Sequence, residues 1–269
     1  DAPDRGAGMS AEGEAAPGRA VWRIGGADRT AFLQGIVSND LRALVRGPIY
    51  AAILTPQGKY LADFLMVGAD DTILIDIDAA IAEATMRRLM LYRLRADVTI
   101  EPAGLHVVRG LGAAPADGWA DPRHPALGWR ALRAAPGVAG TIDWDAIRVR
   151  HGIPETGIEL GPESYILEAG FERLHGVDFR KGCYVGQEVT ARMKHKTELK
   201  KGLARLAIAG TAPPGTPILR EGREVGTLGT VSGDRALAQV RFDRVGPGME
   251  AGDARLAPEP GSGALGVFD

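Results

Sequence analysis

Cysteine is nearly absent from this sequence of 269 residues. Its one copy, Cys183, excludes an internal disulfide and hence a disulfide-stapled secreted fold. It also excludes a Cys-rich zinc site within one chain. A cluster or metal held here through thiolates needs a second chain or another ligand. Long apolar runs are missing too: none approaches the ~18 residues that span a bilayer. The chain opens without a positive segment leading into an apolar one. No secretion signal is therefore read, and a cytoplasmic location is expected. The formal charge of −2 argues against a globally basic nucleic-acid binder. No GxSxG or Walker motif occurs. The five histidines (His106, His124, His151, His175, His195) lack metal-ligand spacing.

What is present is ordinary for a globular protein: 45% hydrophobic and 25% charged residues, with 37 glycines and 17 prolines to make turns. The length suits one large domain or two smaller ones. Residues 1–18 are rich in Ala, Gly, Pro and acids and read as a loose leader. Asp28–Leu41 reads as a helix capped by Asp28. Ile49–Leu54, Tyr60–Val67 and Thr72–Ile77 are β-rich runs joined by turn residues, an antiparallel meander. Asp78 caps a helix reaching about Arg95, with Met86, Leu89, Met90 and Leu94 as its apolar stripe. Asp76 and Asp78 read as a strand end and this cap rather than as a catalytic pair. A strand is read at Val98–Ile100, and residues 112–140 read as a long loop. Trp144–Val149 reads as a helix, as does Glu188–Met193. After Gly202, short strands between Gly/Pro turns (Leu203–Ile208, Pro217–Arg220, Glu224–Val231, Ala236–Phe242) read as a small β-barrel. The resulting domains are 19–199 and 200–269, after the leader.

Lysine is scarce, with six copies, five of them at positions 181–201. Residues 180–205 hold eight basic side chains (Arg180, Lys181, Arg192, Lys194, Lys196, Lys200, Lys201, Arg205) against Glu188 and Glu198, a local charge of +6. Such a field attracts a polyglutamate tail, a phosphate or an RNA backbone. A solvated helix end and linker have the same composition. Cys183 lies within this segment, between Gly182 and Gly186 and ahead of a helix start. Lys181, Arg180 and the helix amides would favour its thiolate. A buried structural cysteine is the alternative.

The string Lys181-Gly182-Cys183-Tyr184-Val185-Gly186-Gln187-Glu188 closely resembles the signature of the YgfZ branch of the glycine-cleavage T-protein (GcvT)-like superfamily, to which mitochondrial iron–sulfur assembly factors belong. Further stretches follow family order: Gly26–Asp40, Leu54–Val67, Tyr92–Ile100, Trp144–Gly157 and Leu167–Phe179. The resemblance implies an α+β fold, with interleaved α/β subdomains around a central folate channel and a C-terminal β-barrel. It implies tetrahydrofolate as ligand, and a role in assembling or repairing iron–sulfur proteins, including those that modify tRNA.

Carried over by position, Cys183 is the functional cysteine, with Lys181, Tyr184, Gln187 and Glu188 shaping its loop. Asp63 stands in the hairpin where true T-proteins carry two aspartates, the other position being Ala62. The resemblance places Trp144, Trp22, Arg148 and Glu168 on the folate side. An indole face suits a flat pterin. Trp22 stands three residues beyond Arg19, where the branch has its other folate-linked tryptophan. Arg150 replaces an acid of many relatives, and His195-Lys196-Thr197 replaces a common His-Arg-Gly. The leading expectation is a folate-binding accessory factor whose Cys183 ligates or exchanges a cluster shared with an iron–sulfur client or carrier. The alternatives are a tetrahydrofolate-dependent aminomethyltransferase and a non-catalytic module contacting protein, or RNA weakly, through 180–205. No membrane association is expected.

Overall fold

The computed structural model describes residues 12–196 and 198–259. These fall into two compact units, each drawn from separate stretches of chain. The first holds 12–54, 61–142 and 175–185; the second holds 55–60, 143–174 and the described residues from 186 onward. This corrects the expected single boundary at 199, because the barrel shares its unit with 143–174 and the helix before it. Barrel strands and preceding helices bury one another's apolar faces, which a linear reading of texture cannot reveal.

The first unit contains β1 (Glu14–Ala15), β2 (Arg19–Gly25), α1 (Arg29–Gln34), β3 (Ile49–Leu54), β4 (Tyr60–Ala69), β5 (Thr72–Asp78), α2 (Ala79–Tyr92), β6 (Thr99–Pro102), β7 (His106–Gly110), β8 (Trp119–Ala120) and β9 (Trp129–Arg133). The expected meander appears as β3, β4 and β5. They belong to a five-stranded sheet of order β3-β4-β5-β2-β6. One face of it is apolar: Ile24, Ile53, Phe64, Met66, Ile75 and Ile77 pack with Met86 and Leu89 of α2 and Leu33 of α1. Asp78 caps α2 as read, accepting from Ala80 N at 2.8 Å. Asp28 does not cap α1. Its carboxylate instead accepts from Asp97 N, while the Asp97 carboxylate accepts from Ala27 N, a reciprocal clasp at the end of β2.

Two readings are corrected in this unit. Residues 12–18 are not a loose leader: β1 pairs with β7, and Glu14 is buried with its carboxylate accepting from Thr141 Oγ1 and Ile142 N at 2.9 Å. Residues 1–11 lie outside the described part. The stretch 112–140 is not one loop, since it supplies β8 and β9 to a second sheet of order β1-β7-β9-β8. That sheet packs Val107 and Leu132 against Val21 and Leu74 of the first. Two-residue strands such as β8 leave no periodic signal, so composition alone suggested a loop.

The second unit contains α3 (Trp144–His151), α4 (Gln187–Lys196) and β10 (Lys201–Ala209), β11 (Pro217–Arg220), β12 (Arg223–Ser232), β13 (Arg235–Arg241), β14 (Met249–Ala251) and β15 (Ala254–Pro258). The six strands close as β10-β13-β12-β11-β14-β15. Closure removes the unpaired edges an open sheet would expose. Leu206, Ile218, Leu228, Val240 and Leu256 fill the barrel.

With Gly128, Gly26 is one of the two tightest glycines of the first unit. Its φ is +94°, and a Cβ there would stand 2.1 Å from the Asp97 carbonyl oxygen. Gly26→Ala should lower stability by about 2 kcal/mol or more, through strain and clash together, as read from urea unfolding midpoints. Gly18→Ala, at an open position, is the neutral control.

Candidate functional site

The cysteine loop is built on the turn that follows α1. Ser38 and Asn39, small polar residues after the helix, supply most of the joinery. Ser38 Oγ donates to Gly176 O at 2.6 Å and accepts from Ala52 N at 2.8 Å. Asn39 Nδ2 donates to His175 O at 2.7 Å and to Tyr50 O at 2.8 Å. Asp178 N donates to Ser38 O, and the Asp178 carboxylate accepts from Arg180 N. The sequence reading assigned Ser38 and Asn39 no role. Their signal was available, since Ser and Asn bond readily to nearby backbone, but their partners His175 and Gly176 lie over a hundred residues away.

Lys181 completes this stitching. Its ammonium is buried and donates to three carbonyls of one turn: Gln34 at 2.8 Å, Val37 at 2.5 Å and Asn39 at 3.0 Å. The nitrogen also stands 5.0 Å from the centre of the buried Tyr184 ring. Burial pushes its pKa down to about 8, against the opposing fields of Asp40 and Asp178. Lys181 is therefore an anchor, with its three protons committed to backbone, rather than an activator of the neighbouring thiol.

Cys183, two residues on, is exposed and in no disulfide. It stands four residues before the first residue of α4, too early to cap that helix. Gly186 takes φ +83° at the turn before α4, and Glu188 is exposed and paired with Arg192 at 2.8 Å. The chemistry on offer is thus an accessible thiol on a rigidly anchored loop. Among the described residues no group of three or more His, Cys, Asp or Glu is arranged to hold a metal ion. Any iron bound at Cys183 needs ligands from elsewhere.

Asp63 belongs to a different constellation. The second face of the five-stranded sheet carries buried charge. Arg19 Nε donates to Asp76 at 2.6 Å, and Arg130 bridges Asp76 and Asp121 at 2.8 Å each. Arg123 grips Asp121 with Nε and Nη2, at 3.0 and 2.7 Å, and lies 5.6 Å over the Tyr50 ring. Tyr50 donates its hydroxyl to Asp63 at 2.8 Å. Three guanidiniums thus face three carboxylates in a largely buried layer. Burial by itself would raise Asp76 and Asp121. The cations of Arg19 and Arg130 for the first, and of Arg123 and Arg130 for the second, outweigh it and hold both well below the usual range. Asp76 is therefore more than the strand-end residue the sequence suggested.

Tetrahydrofolate is the group that the fold family implies. Of the residues expected to hold it, Trp22 lies in the first unit and Trp144, Arg148 and Glu168 in the second. Trp22 must be corrected. It lies three residues from Arg19 on one strand, so the two face opposite ways, and Trp22 packs with the apolar core. Arg148 must be corrected as well. Its Nη1 meets Ile153 O and Glu159, and its Nη2 meets Asp145, Thr230 Oγ1 and Glu155, so it pins α3 to the barrel. Trp144 opens α3 and is buried. Glu168 is ion-paired with Lys201 through Oε2. It is buried, its Oε2 accepts no hydrogen bond, and burial raises its pKa against the pull of Lys201, whose ammonium is 3.5 Å away. A buried carboxylate of this kind can accept from a ring N–H of a pterin, whereas Arg148 is committed to its protein partners.

The expected positive field is also quieter than its composition. Lys181 points inward, Lys194 pairs with Glu172 at 2.5 Å, Lys201 stands near Glu168, and Arg205 pairs with Glu259. Three carboxylates from outside 180–205 offset about half of it, which a count along the sequence cannot show.

The C-terminal barrel matches the family model described as "CAF17, C-terminal beta-barrel domain" over residues 200–262. The chain is 32% identical over 273 residues to the human mitochondrial iron–sulfur cluster assembly factor IBA57, covering 85% of this chain and 77% of the human protein. It belongs to the IBA57 family. The mouse protein is 30% identical with the same coverage. The Mycosarcoma maydis homologue is 33% identical over 74% of this chain, which spans 58% of that relative's length. Among solved structures, the glycine cleavage system aminomethyltransferase T of Bartonella henselae superimposes with a TM-score of 0.69 at 12% identity, covering 93% of this chain and 86% of that one. The shared fold is thus GcvT-like, as expected. The cytoplasmic expectation is overturned, because the IBA57 relatives are named mitochondrial. Lack of an apolar secretion signal never bore on mitochondrial targeting, whose signals are amphipathic and Arg-rich.

Arg130→Met would leave Asp76 and Asp121 buried with one cation fewer each, and should cost about 3–5 kcal/mol in urea unfolding. Both carboxylates are depressed in the folded chain. Their contribution is therefore complete above the unfolded value of about 3.9 and fades as pH falls through the folded values. The stability difference between wild type and Arg130→Met should hold at pH 5 and shrink below about pH 4.

For Lys181 the sign is reversed. Its folded pKa of about 8 lies below the unfolded value, so the unfolded chain holds more protons between about pH 8 and pH 10.4. Wild-type stability should rise with pH across that window relative to Lys181→Met. A flat difference between pH 7.5 and pH 10 would show that the ammonium is not buried as described.

Proposed function

We propose that the chain is an accessory factor in iron–sulfur cluster assembly that uses Cys183 to ligate, transiently, a cluster shared with a carrier or client protein. The exposed thiol on a loop anchored by a buried lysine carries this reading. Family membership supports it. One cysteine supplies one thiolate, and a cluster needs several ligands, so the partner or a small thiol must provide the others. Lys181 keeps the loop from collapsing onto the protein, and the thiol loses its proton on ligation. The iron–sulfur enzymes that modify tRNA are proposed as clients, and the relatives' names direct the location to mitochondria.

The test is anaerobic reconstitution with iron, sulfide and a cluster-carrier protein, followed by gel filtration and absorption spectroscopy. Wild type should co-elute with the carrier and the cluster bands. Cys183→Ser should lose the ternary complex while keeping its circular dichroism, and Lys181→Met should retain less than a tenth of it. Wild-type behaviour by Cys183→Ser would remove the proposal.

A second reading, tetrahydrofolate binding, rests on the buried Glu168 carboxylate, whose Oε2 makes no hydrogen bond and stands 3.5 Å from the Lys201 ammonium. Calorimetric titration of wild type and Glu168→Gln tests it. A Kd at least tenfold higher in the variant supports it; no wild-type binding at millimolar ligand removes it. The aminomethyltransferase alternative finds less support, because Asp63 accepts from Tyr50 within the buried ionic layer.

A further inference from the structure

Helix α2 ends in a way that core packing does not explain. Ala82, Met86 and Leu89 turn into the core. Met90 and Leu94, expected on the same stripe, do not. Met90 is 42% exposed, Leu91 76%, Tyr92 38% and Leu94 88%. Four large apolar side chains thus stand outside within five positions. Leu94 also takes φ +47°, the left-handed conformation in which a helix end normally has glycine or asparagine. A leucine there bears strain, and its side chain is presented to solvent.

The same segment is strongly cationic. Arg87, Arg88, Arg93 and Arg95 are exposed, and no acid occurs between Met86 and Ala96. Arg87 lies 3.8 Å from Glu83 one turn back, and Arg93 donates to Val98 O at 2.8 Å. Helix-dipole complementarity accounts for a cation at this end, but not for four of them around exposed leucines. Single exposed apolar residues are commonplace, whereas four at one helix end, interspersed with arginines, point to an interaction site.

We infer that the C-terminal end of α2, where exposed Met90, Leu91, Tyr92 and Leu94 are flanked along the chain by exposed Arg87, Arg88, Arg93 and Arg95, docks an acidic protein partner whose apolar groups are flanked by carboxylates. Charge complementarity selects the partner: a guanidinium fork matches a carboxylate in geometry as well as sign. A bilayer is disfavoured because an interfacial helix lays its long apolar face into the lipid, and the long apolar face of α2 is occupied by the core. This surface is distinct from the Cys183 loop in residues and chemistry.

The probe is a fluorescein-labelled helical peptide of 18 residues, with leucines along one face and glutamates beside them, read by fluorescence anisotropy with the full chain. Leu91→Asp with Leu94→Asp, and separately Arg88→Glu with Arg95→Glu, should each weaken binding at least tenfold without lowering the thermal midpoint. Leu94→Gly should raise the midpoint yet weaken binding, which a merely structural leucine would not do. Absence of peptide binding overturns the proposal. So does equal binding of a peptide with the same residues in permuted order, which would indicate charge alone. Binding to phosphatidylserine vesicles through these residues, with no binding of the peptide, assigns the surface to membrane and overturns it too.

Discussion

A single buried ammonium organises the cysteine loop. Lys181 reaches into the turn after α1 and satisfies three carbonyls there. A helix end leaves its last carbonyls without partners inside the helix, so the lysine answers a need already present. Burying a cation is costly without compensation. Three acceptors and the fields of Asp40 and Asp178 provide it, although burial still wins on the pKa. The result is a rigid base from which Cys183 faces solvent. A serine and an asparagine reinforce it, and each of them ties the turn to both β3 and the cysteine-bearing segment.

The ionic layer on the second face of the large sheet solves a different problem. Two packed sheets meet there, and most protein cores would meet with hydrocarbon. Here Arg19, Arg123 and Arg130 alternate with Asp76 and Asp121, and Tyr50 links Arg123 to Asp63. Each charge is stable only because its neighbours are present. Such a layer is a poor host for a carboxylate meant to act on a bound ligand. The fold shared with an aminomethyltransferase does not by itself carry that function.

Much of the first unit and the barrel was legible from local pattern. The runs Ile49–Leu54 and Thr72–Ile77 carry β-branched residues between turn residues, and both are strands. Asp78 announced α2 because a capping aspartate acts on amides two residues away. Trp22 shows where such reasoning fails. Its indole suggested stacking, but strand period two puts it on the face opposite Arg19. Met90 and Leu94 failed for a related reason. They continue a helical stripe by spacing, yet the helix ends beneath them and the core has run out.

The sequence by itself determined most of the elements, the barrel texture, the family signature around Cys183 and the scarcity of thiols that leaves this chain a single thiolate to offer. These depend on neighbours along the chain, or on composition. Tertiary structure alone decided that Lys181 is an anchor, that Arg148 pins a helix, that Glu168 is buried beside Lys201 and that Asp76 sits at the centre of an ion network. Each of these roles is set by groups brought close from distant positions. A charge declares its sign in the sequence, but its partner and its exposure exist only once the chain has packed.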